Sequence, residues 1–250
     1  MPDLFLAWHE ALEKRHLAAL TFQEVRRSVQ ALSSIYVENR ERLDSGAVLN
    51  GAGKRAAFAM FYAPLHFLLV REIVRSLDAA RSLPPTILDL GCGTGSAGAA
   101  WALESEPRPR ILGIDRNTWA LEEARWTYSK LGLQGTVRSA DVRSTRIPAD
   151  TAVIAAFTIN ELDDESRARL LGQFLKTVSR GAPVLIIEPI ARRLTSWWES
   201  WAASFKAVGG RDDRWRFNID LPERLKLMDK AAGLDHREIT GRALWAGPGN

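Results

Sequence analysis

One cysteine, Cys92, stands in 250 residues. A single thiol excludes an intramolecular disulfide and any cysteine-built zinc or iron–sulfur site within the chain. Histidine is scarce too: there are four, and only His9 and His16 are near one another, seven positions apart. That spacing fits two solvated positions on one helix face, so no metal site is expected. No block of like charge appears. The 34 cations, 27 of them arginine, interleave with 30 acids. This excludes a polybasic nucleic-acid-binding tail and leaves open a basic face assembled by folding. Long apolar runs are also missing. The most apolar stretch, Ala56 to Val70, is closed by Arg55 and Arg71 and interrupted by Pro64 and His66. It falls short of the roughly 20 residues that a membrane helix needs. The N-terminus lacks the charged-then-apolar layout of a signal peptide. The expectation is a cytoplasmic protein with neither metal nor membrane as partner.

What is present is a core: apolar residues make up 46% of the chain, enough for one large domain or a domain plus a lobe. The first 80 or so residues read as helices. Leu4, Ala7, Trp8, Ala11 and Leu12 follow helical spacing. Thr21 with Glu24 forms a capping-box pattern for a helix over Phe22 to Leu43. A loop is expected over 45–53, then a helix from Lys54 to about Ala80, bent near Pro64. From Thr86 onward, short apolar strands alternate with amphipathic helices, the pattern of a parallel sheet covered on both faces. Strands are expected at 87–90, 110–115, 135–140, 151–157 and 184–188. Helices are expected at 96–104, 119–131 and 164–178. The tail differs. A tryptophan-rich segment, 191–220, precedes a helix over Leu221 to Ala232 and two short strands, 236–240 and 242–246, on either side of Gly241. The division expected is an N-terminal helical lobe, 1–83, and an α/β domain, 84–250.

The densest chemical signal is Asp89-Leu90-Gly91-Cys92-Gly93-Thr94-Gly95, between a strand and a helix. Glycines permit a tight turn and close approach of a ligand to the backbone. The turn lies at the carboxyl end of the first strand, where open α/β sheets bind ligands. A dinucleotide site calls for Gly-x-Gly-x-x-Gly. Here the third glycine comes one residue early, and Ser96 takes its place. Asp89, two residues ahead of Gly91, would repel a pyrophosphate and would favour a cofactor with sulfonium and ammonium charges. Cys92 reads as a small turn residue, not a nucleophile.

Residues 87–95, Ile-Leu-Asp-Leu-Gly-Cys-Gly-Thr-Gly, resemble the first motif of class I S-adenosylmethionine-dependent methyltransferases, and the likeness in order and spacing runs over about 86–190. The resemblance implies a Rossmann-like sheet of seven strands and S-adenosylmethionine as cofactor. It implies that Gly91, Cys92, Gly93 and Gly95 border the methionine part of the cofactor and that Asp115 holds both ribose hydroxyls, since one carboxylate can accept from two donors. Asp141 would accept from the adenine amino group, Val142 would offer its backbone amide to the ring, and Arg116 would lie beside the adenine. Phe157 ends the fourth strand, which in this family faces the transferred methyl. Asn160 and Glu161 are the candidates there for positioning the nucleophile or taking its proton, against the plainer alternative of a turn cap and a solvated acid. Phe157-Thr158-Ile159-Asn160 is not the Asn/Asp-Pro-Pro-aromatic signature of enzymes acting on exocyclic amines of bases.

Tyr62 and His66, four apart on one helix face, are candidate substrate contacts or core residues. Trp197 and Trp198 sit among Arg192, Arg193, Arg211, Arg214 and Arg216 and read as a lid, an RNA or protein contact surface, or packing against the N-terminal helices. The chain also resembles the methyltransferase-like proteins of the mitochondrial small ribosomal subunit at Tyr62-Ala63-Pro64, Asn160-Glu161-Leu162 and Ile187-Glu188-Pro189, without that group's cysteine metal-site pattern. Expected function is methyl transfer to a small molecule or to RNA or a ribosomal component. The alternative is a non-catalytic cofactor-binding protein with an assembly or regulatory role.

Overall fold

The computed structural model describes residues 3–38, 49–190, 196–233 and 237–247. Arg192, Arg193, His236 and the start of the 45–53 loop lie outside them. The chain divides into two compact units. One comprises 1–66 and 218–239, the other 67–217 and 240–250.

The first unit is helical. Helix α1, Leu4–His16, starts at Asp3, whose side chain accepts the Phe5 N–H at 3.0 Å. Helix α2, Phe22–Glu38, starts with the capping box its sequence implies: the Glu24 carboxylate accepts the Thr21 N–H at 2.7 Å, and Thr21 Oγ1 accepts the Glu24 N–H at 3.3 Å. Helix α3, Ala52–Ala57, runs through a π-turn, Phe58–Tyr62, into α4, Ala63–Ser76. This widened turn stands immediately ahead of Pro64, where a bend is expected from the sequence. A proline ring clashes with the carbonyl four residues back. The backbone opens ahead of it, and the Ala63 N–H donates to the Phe58 carbonyl five residues back. The combined helix, Ala52–Ser76, has 25 residues, longer than its apolar run suggests. By length and composition it could cross a membrane, but 67% of its apolar window is buried within the protein, as in a core helix. Helix α9, Glu223–Ala231, completes this unit, with Arg224 reaching Glu13 of α1 at 3.1 Å.

The second unit carries a seven-stranded sheet. The strands are β1 Thr86–Leu90, β2 Arg110–Asp115, β3 Gly135–Ser139, β4 Ala152–Ala156, β5 Val184–Glu188, β6 Arg211–Asn218 and β7 Glu238–Ala246. Their order is β3-β2-β1-β4-β5-β7-β6. β1 to β5 pair in parallel, and β7 runs antiparallel to β5. Helices α5 Ser96–Glu104, α6 Thr118–Lys130, α7 Asp164–Ser179 and α8 Trp198–Ala207 cover it. Asn117 caps α6 and Asp163 caps α7, each by accepting a backbone N–H. The central strands β1, β4 and β5 are buried on both faces, which is why they read as continuous apolar runs. Leu88, Leu90, Val153, Ala155, Val184, Ile186 and Leu244 pack with Phe174 of α7 and Trp198, Trp201 and Phe205 of α8.

The tail departs from the sequence expectation. The segments 236–240 and 242–246 are not a strand pair. Residues 238–240 and 242–246 belong to the single strand β7, and Gly241 sits inside it, where a Cβ would come within 2.9 Å of Leu69. The second strand of that end is β6, within the tryptophan-rich segment, where no strand is expected from the sequence. Its sequence, Arg-Asp-Asp-Arg-Trp-Arg-Phe-Asn, alternates apolar and polar only at Trp215 and Phe217, and its charges suit an edge strand by discouraging further pairing.

Candidate active site

The glycine loop leaves β1 through three left-handed residues, Gly91, Gly93 and Gly95, with φ of 68°, 51° and 82°. Gly91 and Gly95 are also sterically required. A Cβ on Gly91 would lie 2.3 Å from Thr158 Oγ1, and one on Gly95 would lie 2.7 Å from the Tyr128 ring. The Cys92 N–H donates to the Ile114 carbonyl at 2.9 Å, so the loop begins as an extension of the β1–β2 pairing. Cys92 is buried, and burial followed by the fields of Asp89 and Asp115 pushes its thiol well above its ordinary range. A thiol so held is not a nucleophile.

Two carboxylates hold this loop. Asp89 is 1% exposed, and its Oδ2 accepts the Gly98 N–H in the first turn of α5 at 2.9 Å. Burial raises its pKa to about 7, with the nearby Asp115 charge adding to the rise. Asp115, at the end of β2, accepts the Gly93 N–H at 2.9 Å through Oδ2 and the Asn117 N–H at 2.8 Å through Oδ1. A loop flanked by two acids is unfavourable for a pyrophosphate and favourable for a cationic ligand, and S-adenosylmethionine fits that donor set.

At the end of β3, Asp141 caps a 3-10 turn, Val142–Ser144, by accepting the Arg143 N–H at 2.9 Å. The Arg143 guanidinium meets the same carboxylate at 2.8 Å and holds its pKa below the usual range. Arg116 approaches to 3.9 Å from the end of β2. The structure thus brings Asp115, Arg116, Asp141 and Val142 to the ends of adjacent strands, with Val142 buried.

Past β4 the chain turns at Phe157, a non-glycine residue at φ 58°, the kind of local strain that clusters at functional sites. Thr158 Oγ1 lies 3.1 Å from the carbonyls of Leu90 and Ala156 and 3.4 Å from that of Gly91, so its single proton is shared among β1, the glycine loop and β4 where they meet. Asn160 is fixed at both ends of its amide. Its Nδ2 donates to Glu188 Oε2 at 2.7 Å, and its Oδ1 accepts from Trp197 Nε1 at 2.9 Å. Glu161 is exposed. Trp198 has no exposed surface. Its ring lies under the Arg242 guanidinium at 4.0 Å, and its Nε1 donates to Asp212 at 2.9 Å.

Tyr62 and His66 belong to the helical unit. With Phe58 they form a triangle of rings whose centroids lie 6.1 to 6.4 Å apart. Burial pushes the Tyr62 hydroxyl up to about 12 and drops His66 to about 4, so both are neutral at pH 7.

Sequence reasoning missed Thr158, Gly98, Glu188 and Arg242. Glu188 carried a signal: a carboxylate closing a wholly buried strand must find donors. Thr158 and Gly98 carried none, because their partners lie on other elements. Among the described residues no group of three His, Cys, Asp or Glu could hold a metal.

Comparison with known proteins agrees with this geometry. A family model of the methyltransferase domain matches residues 87–181. The chain is similar to the ribosomal RNA small subunit methyltransferase C of Vibrio vulnificus, 32% identical over 119 residues, which covers 44% of this chain and 33% of that protein. The corresponding protein of Aeromonas hydrophila is 37% identical over 68 residues, 27% of this chain and 20% of that one. The chain therefore spans no more than about a third of these curated relatives. Among solved structures, a putative O-methyltransferase from Nostoc punctiforme superposes with a TM-score of 0.53 at 13% identity, covering 89% of this chain and 71% of that one. The pyocyanin biosynthetic protein PhzM gives 0.51 at 18% identity, covering 85% and 62%. These likenesses establish the fold. Residues 87–181, which begin at the strand leading into the glycine loop, match the methyltransferase domain model.

Proposed function

We propose that this protein transfers the methyl group of S-adenosylmethionine to RNA or to a small molecule. The observation that carries this reading is the loop 89–95, bracketed by Asp89 and Asp115 at the carboxyl edge of a 3-2-1-4-5-7-6 sheet. In this reading the loop backbone borders the methionine part of the cofactor, Asp115 accepts from the ribose hydroxyls, and Asp141 with the Val142 amide meets the adenine. Bound S-adenosylmethionine supplies a methyl carbon already activated by its sulfonium. What remains for the chain is alignment of the acceptor, which by itself contributes a large share of such a rate.

Two acceptor classes are supported by different observations. RNA is favoured by the curated relatives, which are named for ribosomal RNA. A small molecule is favoured by the turn after β4. The stretch Phe157-Thr158-Ile159-Asn160-Glu161-Leu162 lacks the Asn/Asp-Pro-Pro-aromatic sequence associated with exocyclic amines of bases. Asn160, held by Glu188 and Trp197, would orient the acceptor, and the exposed Glu161 would take its proton.

Calorimetric titration with S-adenosylhomocysteine, with NAD as control, tests the cofactor assignment. Micromolar binding of the first and none of the second is expected; no binding of S-adenosylhomocysteine would remove the main support for methyl transfer. Incubation with tritium-labelled S-adenosylmethionine and either total RNA or a protein-free metabolite extract then separates the two acceptors. Binding with no transfer to either pool would favour the non-catalytic alternative.

A further inference from the structure

Glu188 closes β5 with no exposed surface, and a buried carboxylate persists only where donors surround it. Here Oε1 accepts the Ile159 N–H at 2.8 Å and the Asn160 N–H at 3.1 Å, while Oε2 accepts the Asn160 side-chain N–H at 2.7 Å. These three bonds fall on one turn, 159–161, immediately after Thr158. Thr158 in turn fills the space beside Gly91, with its hydroxyl within 3.1 Å of the Leu90 and Ala156 carbonyls. The turn is thus clamped from two sides, by the glycine loop through Thr158 and by β5 through Glu188. Trp197, just ahead of α8, closes the chain of bonds by donating to Asn160 Oδ1.

We propose that Glu188 is a positioning residue of the cofactor site: by holding the 159–161 turn it sets Thr158 against the glycine loop, and through Asn160 it ties that loop to Trp197. This rests on the reading of the glycine loop as the S-adenosylmethionine site. Donor and acceptor polarity along the chain is fixed. Trp197 can only donate, so Asn160 must turn its oxygen there and its N–H towards Glu188. Glu188→Gln would place two N–H groups face to face, and flipping Asn160 would only move that conflict to Trp197. The pair E188Q/N160D restores a donor–acceptor match at every link, because an aspartate at 160 accepts from both the glutamine and the tryptophan while the net charge stays the same.

The test compares wild type, E188Q, N160D, E188Q/N160D and W197F. Three readouts are used: S-adenosylhomocysteine affinity by calorimetry, melting temperature, and the Trp197 indole N–H resonance, assigned by its absence in W197F. We expect E188Q to weaken S-adenosylhomocysteine binding by about tenfold, the equivalent of one misplaced hydrogen-bonded turn, to lower the melting temperature and to shift the Trp197 signal. E188Q/N160D should recover all three. W197F removes the terminal donor together with part of a ring packed against Trp198 and Trp201; it should lower the melting temperature modestly, still fold, and weaken binding by about threefold, so the chain is testable even if E188Q does not fold. Unchanged affinity in both E188Q and W197F would overturn the proposal. So would a double variant that regains melting temperature but not affinity, since Glu188 would then be structural only. If the wild type itself fails to bind S-adenosylhomocysteine, the cofactor reading falls, whereas an unrescued Trp197 signal would count against the bond chain independently.

Discussion

Two carboxylates lie near the ends of buried strands of this sheet, and the protein surrounds them differently. Asp89, on β1, receives one backbone N–H and carries a pKa of about 7. Glu188, on β5, receives three N–H groups from a single turn. Both are almost wholly removed from water. One region is local: Asp89 acts within its own strand–loop–helix unit, nine residues from its partner Gly98. The other is assembled from afar, since Glu188, Asn160 and Trp197 come from three elements with 28 residues between the first two and 37 between the last two. The comparison teaches that a buried acid beside a glycine loop can remain poised near neutrality when it is given few donors, whereas an acid used as a clamp is surrounded by them.

The comparison can be broken most severely at the point where the two regions touch. Gly91→Ala forces a Cβ into Thr158 at a left-handed residue. It should cost about 4 kcal/mol or prevent folding, read by urea denaturation; a cost below about 1 kcal/mol would mean that the loop and the β4 turn are not tightly joined.

Next in size is a pair of opposing pH slopes. The Asp89 pKa is raised on folding, so the stability it confers is complete below the unfolded carboxylate value near 3.8 and is lost as pH climbs through about 7. The His66 pKa is depressed to about 4, so its contribution is complete above the unfolded value near 6.5 and is lost as pH falls towards 4. Each is worth on the order of 3 kcal/mol over its window. Denaturation at closely spaced pH values should show Asp89→Asn removing the falling slope and His66→Gln the rising one. Curves unchanged in either variant would show that the group does not titrate as its surroundings imply.

A smaller effect sharpens the role of the glycine loop. Asp115→Ala removes the acceptor for the Gly93 N–H as well as the proposed ribose partner. S-adenosylhomocysteine affinity should fall at least about tenfold, or roughly 1.4 kcal/mol; unchanged affinity would leave Asp115 as a loop brace alone. The smallest change is expected at Arg143→Ala. Its ion pair with Asp141 is partly exposed, so stability should move by less than about 0.5 kcal/mol in thermal melts.

The local region was legible before the structure. The aspartate and glycines of 89–95, the acids ending β2 and β3, and the capping box at Thr21 and Glu24 are short-range patterns whose physics is carried by neighbours in sequence. The tail was not legible. β6 hides its strand character because charged residues fill its first half and only Trp215 and Phe217 alternate with polar neighbours, and Gly241 imitates a turn while serving as a gap for Leu69. Trp198 was a candidate contact by its company of arginines, yet its ring lies in the core beneath Arg242.

By itself the sequence determined the alternating strand–helix order, the buried central strands and the loop able to receive a cationic cofactor, because periodicity, glycine conformation and charge are properties of contiguous residues. Only the tertiary structure decided that Glu188, Asn160 and Trp197 form one hydrogen-bonded chain, that Thr158 fills the space left by Gly91, and that burial brings Asp89 to about 7. Those outcomes depend on which distant groups meet away from water, and no local pattern encodes such a meeting.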